Sequence, residues 1–172
     1  MMNVGKAKTT ANKLLMLRSG PALVALGGGA DRVTVGAVVV SHREAGPCIL
    51  VLRRAATEEE YAGIEELPSG AVDAGESLGE ALRREVKEEC GFDLKCLFEE
   101  WFIIRYDSRK GRTIQVNCVA AVPSTWDVKI NPEEHEAYRW VPRGAVQASD
   151  LTANVKRALA ELPWESLSQG ES

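Results

Sequence analysis

The sequence predicts an α/β (α+β) layer fold in which a mixed β-sheet lies between helices. Three observations carry this reading. β-branched apolar runs stand before and after one sharply capped helix, a second helical pattern closes the chain, and no internal repeat interrupts the alternation. At 172 residues the chain can bury a self-sufficient core, so stability demands neither disulfide nor structural metal.

The run Val33 to Ser41 is almost continuously apolar, and Cys48 to Leu52 resembles it, with turn residues from His42 to Pro47 between them. Both read as buried strands. Thr57 to Tyr61 reads as a polar loop, Ile64 to Leu67 as a short strand stopped by Pro68, and Ser69-Gly70 as the start of a tight turn before a brief strand over Ala71 and Val72. Ser77 to Cys90 is the clearest helix, because Ser77 and Glu80 form a capping box and Gly91 stands where a C-terminal glycine belongs. Leu94 to Tyr106 and Arg112 to Val122 are expected as strands joined by a hairpin at Asp107 to Gly111. A further strand is expected over Ala137 to Val141, then a last helix capped by Ser149 or Asp150 and running to about Leu162.

Composition narrows the function classes. Hydrophobic residues make up 45% and charged residues 27%, the balance of a globular protein, and no apolar run approaches the roughly 18 residues of a membrane helix. A net charge of −4 lacks the global positive field of a duplex nucleic-acid binder. Cys48, Cys90, Cys96 and Cys118 show no metal-ligand spacing and read as reduced, partly buried thiols of a cytoplasmic protein. Residues 1–31 read as an arm or extension, 32–164 as the domain and 165–172 as a polar tail. The acid-free start, with Lys6, Lys8, Lys13 and Arg18, also has the composition of an organelle import segment.

The capped helix carries charges on its inward side. With Leu78 at 0°, Ala81, Leu82 and Val86 fall at about 300°, 40° and 80°, while Glu85, Glu88 and Glu89 fall at about 340°, 280° and 20°. Three carboxylates thus continue the apolar stripe, whereas Glu80, Arg83 and Lys87 take the solvated side. Like charges at these spacings repel, and the helix dipole opposes them in the last turns. A hard cation relieves both penalties, and carboxylate oxygens are the ligands Mg²⁺ prefers. Arg84, four residues before Glu88, can pair with this set.

Gly70, Glu76 and the run Arg84-Glu85-Val86-Lys87-Glu88-Glu89-Cys90-Gly91-Phe92 match, without a gap, the signature G-x5-E-x7-R-E-U-x-E-E-x-G-U. On these residues the chain resembles the Nudix hydrolase superfamily, with a Nudix-type α/β/α sandwich expected over about residues 32–162. The resemblance implies Mg²⁺- or Mn²⁺-dependent hydrolysis of a nucleoside diphosphate linked to another moiety. It implies Glu85, Glu88, Glu89 and the Ser69 carbonyl as metal ligands, and Glu76 with Arg84 as a brace between loop and helix. Glu65 stands where an aromatic residue often precedes Leu-Pro in the family.

The general base is left between Glu85 and Glu134, the latter in the acidic segment before Tyr138-Arg139-Trp140-Val141. Arg54 is a candidate phosphate contact, Gly70 lines the substrate loop, and Tyr106 and Trp140 are candidate stacking residues. Tyr106 falls near a tyrosine common in dinucleoside polyphosphate hydrolases. The substrates expected are a nucleoside triphosphate, a modified nucleotide or a dinucleoside polyphosphate, with ADP-ribose or a nucleotide sugar as the alternative. A non-catalytic nucleotide- or protein-binding module is the alternative of another class; the oligomeric state is left open.

Overall fold

A computed structural model describes residues 29–95 and 101–167. The N-terminal arm before Gly29, Cys96 and the end of the polar tail lie outside the described residues. Among the described residues, seven strands form one mixed sheet with the core order β3-β2-β1-β6-β5. The central strand β1 (Arg32–Arg43) pairs parallel with β6 (Gly111–Ala121) along one edge. Its other edge is divided between β2 (Gly46–Arg54) and β4 (Ser69–Ala71), both antiparallel. β3 (Glu65–Glu66) and β7 (His135–Pro142) pair with β2, and β5 (Trp101–Ser108) closes the far edge against β6.

Both faces are covered, as expected for an α/β/α sandwich. α1 (Leu78–Cys90) lays Leu78, Ala81, Leu82 and Val86 on a core that includes Val35, Leu50, Val116 and Cys118. On the opposite face, Val38, Ile49, Phe102 and Val119 pack under a 3₁₀ turn (Arg143–Ala148), α2 (Ala153–Ala160) and α3 (Trp164–Leu167). The described cysteines Cys48, Cys90 and Cys118 are free and buried. Among the described residues no helix is long and apolar enough to cross a membrane.

Several elements differ from the sequence expectations. Ser69-Gly70 opens no tight turn: Ser69–Ala71 is strand, because Thr34 to Gly36 of β1 extend beyond β2 and offer it a partner. Leu94 is buried but precedes β5 without joining it. The expected last helix is shortened to α2, with a separate 3₁₀ turn before it and α3 after it. The Ser149 hydroxyl bonds back to the Val146 carbonyl at 2.6 Å, and the Asp150 amide goes to Glu65, so neither caps α2; Thr152 stands at the N-cap without a side-chain bond. Pro163 is followed by α3, whose Trp164 and Leu167 are buried, so the packed domain continues past residue 164.

Glu65 joins these parts. Its carboxylate, 2% exposed, receives Arg139 of β7 through both oxygens, the Asp150 amide at 2.8 Å and Arg53 of β2 at 3.4 Å. This group holds it below the usual carboxylate range, with the Arg139 guanidinium as the main cause. Glu65→Gln is expected to lower stability by roughly 1–3 kcal/mol, since charge-assisted bonds to a buried group are lost. A depressed folded pKa gives stabilisation that is present above the ordinary value of 4.5 and lost as pH falls through the folded value. Urea unfolding between pH 7 and pH 3 should therefore show the gap between wild type and variant closing on acidification; a gap constant with pH would assign the effect to packing alone.

Candidate active site

The site is organised by α1, whose ends are fixed as the sequence predicts. Ser77 accepts from the Glu80 amide, Glu80 answers to the Ser77 amide, and Gly91 takes the left-handed conformation with φ of 74°. This fixes the phase of the helix and turns Arg84, Glu85 and Glu89 toward β4. Arg84 grips Glu76 through two parallel bonds of 2.9 and 3.0 Å. The same guanidinium donates to the Ala71 carbonyl at 2.9 Å, to Glu85 at 2.7 Å and to Glu88 at 3.3 Å. Glu76 in turn accepts the Asp73 amide, so loop and helix are tied as one unit. Its carboxyl is held below the usual range chiefly by Arg84.

Glu85 lies directly against β4. A Cβ on Gly70 would overlap its carboxylate, so this position admits only glycine while Glu85 keeps its place. Ser69 has an ordinary backbone; Tyr61 is the one non-glycine residue with positive φ among the described residues. The Ser69 amide donates to Glu89 at 2.8 Å. Glu89 is 3% exposed, and burial pushes its carboxyl well above the usual range, reinforced by the charges of Glu66, Glu85 and Glu134. Glu85 is raised as well, again chiefly by burial and against the pull of Arg84. Glu88 is turned outward, its side chain 56% exposed, so the inward stripe read from the helical wheel holds for Glu85 and Glu89 more than for Glu88.

The segment carrying Glu134 is docked on the end of α1. The Lys129 amide donates to the Cys90 carbonyl at 3.0 Å and the Asn131 amide to the Glu89 carbonyl at 3.2 Å, satisfying helix-end acceptors. Asn131 then receives the Glu134 and His135 amides on its carbonyl and donates its side-chain amide to Glu134 at 2.9 Å. Ligand atoms of Glu89, Glu134 and His135 come within 4.8 Å of one another. His135 is fully buried, and its Nε2 lies 2.9 Å from Glu66. Asn131, His135 and Glu66 were not singled out by sequence reasoning. An Asn-Pro-Glu-Glu run reads as loop chemistry, and nothing in it shows that the loop sits on a helix end.

The other expected site residues are dispersed. Arg54 is engaged within the protein, by Glu66 at 2.8 Å, Glu58 at 2.6 Å and the Glu60 carbonyl at 2.9 Å. Trp140 packs on the α1 face between the edge of Trp126 and the guanidinium of Arg43, 4.2 Å from the ring centre. Tyr106 belongs to the opposite face, where it lines a pocket of about 190 Å³ with Tyr61, Ile64, Ile104, Gln115 and Val155. The two aromatics therefore form no common stacking platform. Glu66 and Ser69 also line this pocket, which sets it beside the carboxylates of α1.

The donors around Glu85, Glu89 and Glu134 are mainly carboxylate oxygens, with Arg84 as the cation bonded to Glu85. Such a set fits a hard divalent cation, which would stabilise the ionised form of the buried Glu89 that the protein alone disfavours.

A model of the NUDIX domain matches residues 30–162. Nudix hydrolase 10 of Arabidopsis thaliana is 32% identical over 115 residues, covering 64% of this chain and 37% of the relative. The chain thus spans less than two fifths of that relative's length. The nucleoside triphosphatase NudI of Klebsiella pneumoniae is 35% identical over 104 residues, covering 54% of this chain and 71% of the relative. The crystal structure of a MutT protein from Methanosarcina mazei superposes with a TM-score of 0.67 at 25% identity, covering 80% of this chain and 95% of that one.

The Glu89 environment yields a stability test. Its raised carboxyl means that, in chelator, stability should fall as pH rises from the ordinary value of 4.5 toward the folded value. Glu89→Gln keeps an acceptor for the Ser69 amide and removes this dependence. At neutral pH in chelator it should melt about 2–4 °C higher than wild type, the shift expected of about 1 kcal/mol in a chain this size. Added Mg²⁺ should raise the melting temperature of wild type far more than that of the variant. A variant that melts lower in chelator would mark Glu89 as a structural group.

Proposed function

The chain belongs to the NUDIX domain family, and on that premise we propose that it is a Mg²⁺-dependent hydrolase of a phosphoanhydride bond in a nucleoside triphosphate or a related nucleotide. Mn²⁺ is the expected substitute. The observation that carries the reading is the convergence of Glu89, Glu134 and His135 at the end of α1, with Glu85 near enough for the Glu134 charge to raise its carboxyl, beside a pocket of ring-sized volume. The family generally uses a divalent metal, and the likeness to a nucleoside triphosphatase that the chain covers over 71% of its length favours triphosphates.

The proposed ligands are Glu85, Glu88, Glu89 and the Ser69 carbonyl. When bound there, the cation neutralises phosphate charge and lowers the pKa of a bound water. Each residue has a separate task. Arg84 and Glu76 keep the β4 loop against α1, so that Glu85 and Ser69 hold a fixed separation. Gly70 lets Glu85 approach the strand backbone. Glu134 is exposed, orientated by Asn131 and close to Glu89, which suits a group that takes a proton from attacking water. Glu85 already accepts from Arg84 and is the poorer candidate for that proton. The arm before Gly29 supplies none of these groups.

Assay of nucleoside triphosphates with Mg²⁺, read by phosphate release, tests the reaction, and full turnover in excess chelator would overturn the metal role. Glu134→Gln should slow kcat by roughly 10²–10⁴ with little change in KM and abolish the acidic limb of the pH–rate profile. Glu85→Gln should instead be partly rescued by higher Mg²⁺. Near-wild-type turnover of Glu134→Gln would transfer the role of base to Glu85.

A further inference from the structure

The floor of the pocket is a polar ladder set into an apolar strand pair. β6 sends Ile114, Val116 and Cys118 to the α1 core, while Gln115 and Asn117 alternate to the other face, opposite Thr34 and Gly36 of β1. Asn117 is fully buried, which an amide tolerates only when hydrogen-bonded. A Cβ on Gly36 would overlap the Asn117 oxygen and stand 2.7 Å from the Gln115 nitrogen. The amide pair thus lies flat on the sheet in space that a glycine leaves open.

The bonds of this pair determine which atoms it offers. The backbone carbonyl of Gln115 can only accept, and Asn117 Nδ2 lies 3.4 Å from it. Asn117 Oδ1 is thereby turned onto the Gln115 side chain, which must meet it with nitrogen, at 2.8 Å. The Gln115 oxygen then faces the hydroxyls of Thr34 at 3.5 Å and Tyr106 at 3.4 Å. Gln115 Nε2 carries two hydrogens, and among the described residues it has one acceptor. What the clamped amide has left for a ligand is a single donor.

The rest of the wall suits one planar ring. Tyr61 and Tyr106 supply aromatic surface, and Ile64, Ile104 and Val155 apolar surface. The acids on the wall are engaged elsewhere, Glu65 by Arg139 and the Asp150 amide, Glu66 by Arg54 and His135. At about 190 Å³ the pocket is smaller than the roughly 300–1,000 Å³ sites that enclose whole drug-sized ligands. It accommodates a base, with the phosphates outside, toward Ser69 and Glu89.

We propose that Gln115 is a specificity-determining residue that donates to an exocyclic oxygen of the substrate's base, so that oxo bases are favoured over those carrying an amine at the same position. An amine there would set donor against donor and leave both unpaired. The inference rests on the reading of the protein as a nucleotide phosphoanhydride hydrolase.

The test compares kcat/KM for inosine against adenosine triphosphate and for uridine against cytidine triphosphate, pairs in which an exocyclic oxygen is exchanged for an amine and the adjoining ring N–H for a bare acceptor nitrogen. Wild type should favour the oxo member by roughly 10–100-fold, mostly through KM. Gln115→Leu should bring both ratios close to one by weakening the oxo substrates. Gly36→Ala, which displaces the amide pair, should lower the ratios with Gln115 intact. Circular dichroism and melting temperature check that the variants fold, and the wild-type ratios need no variant. Wild-type ratios near one, or a preference for amines, overturn the assignment, as does an oxo preference that persists in a folded Gln115→Leu. Turnover without discrimination sinks the role of Gln115 alone, whereas absence of hydrolysis of all four triphosphates overturns the nucleoside-triphosphate reading with it.

Discussion

One guanidinium holds the carboxylate-rich end of this molecule in shape. Arg84 reaches Glu76, Glu85, Glu88 and the Ala71 carbonyl from a single position on α1, joining a loop, a strand and a helix. The planar fork of arginine permits this, since its donors leave in several fixed directions, whereas a lysine would offer one point charge. The carboxylates around it would otherwise repel one another. With Arg84 compensating Glu85, the cost of gathering acids is concentrated on Glu89, the buried one.

A second ion-pair group, built on Glu65, serves the opposite face in a comparable way. It links β2, β3 and β7 to the amide of Asp150, just before α2, and α2 supplies Asn154 and Val155 to the pocket wall. The two groups meet across Glu66 and Ser69, which touch both the carboxylate cluster and the pocket. In the proposed complex, the position of the ring relative to the phosphates would thereby be referred to these two ion-pair groups.

Much of this was legible in the sequence where a local rule operates. The capping box at Ser77 and Glu80, the glycine after Cys90 and the helical phase of Glu85 and Glu89 follow from spacing alone, and they place the core of the candidate site. Glu88 lies at the edge of the stripe on the wheel, and its side chain stays 56% exposed although it reaches Arg84 at 3.3 Å. The strand at Ser69–Ala71 was hidden because its partner lies more than thirty residues earlier, and turn residues such as Ser and Gly signal nothing about an edge left open by β1. Asn131 and His135 were hidden for a related reason: the first is docked on the Glu89 carbonyl and the second on Glu66, both distant in sequence, and an amide or imidazole carries no periodic signature. Arg54 and Trp140 suit a ligand by their chemistry, and the fold also supplies protein partners for both, which their place in the sequence does not show.

The parallel edge of β1 also bears on how the chain emerges from the ribosome. Val33 pairs with Ile114, and the register continues to Val40 opposite Ala121, so β1 must wait for about eighty residues of further synthesis before that edge can close. At typical elongation rates the delay is roughly 4–16 s. During it, a β-branched segment with Val38, Val39 and Val40 can pair with β2 and β4 on one side only. Nascent chains of this length are therefore expected to engage chaperones that recognise extended apolar strands, and the carboxylate-bearing helix α1, encoded between the two partners, gains its packed floor only when the last of β6 has left the tunnel.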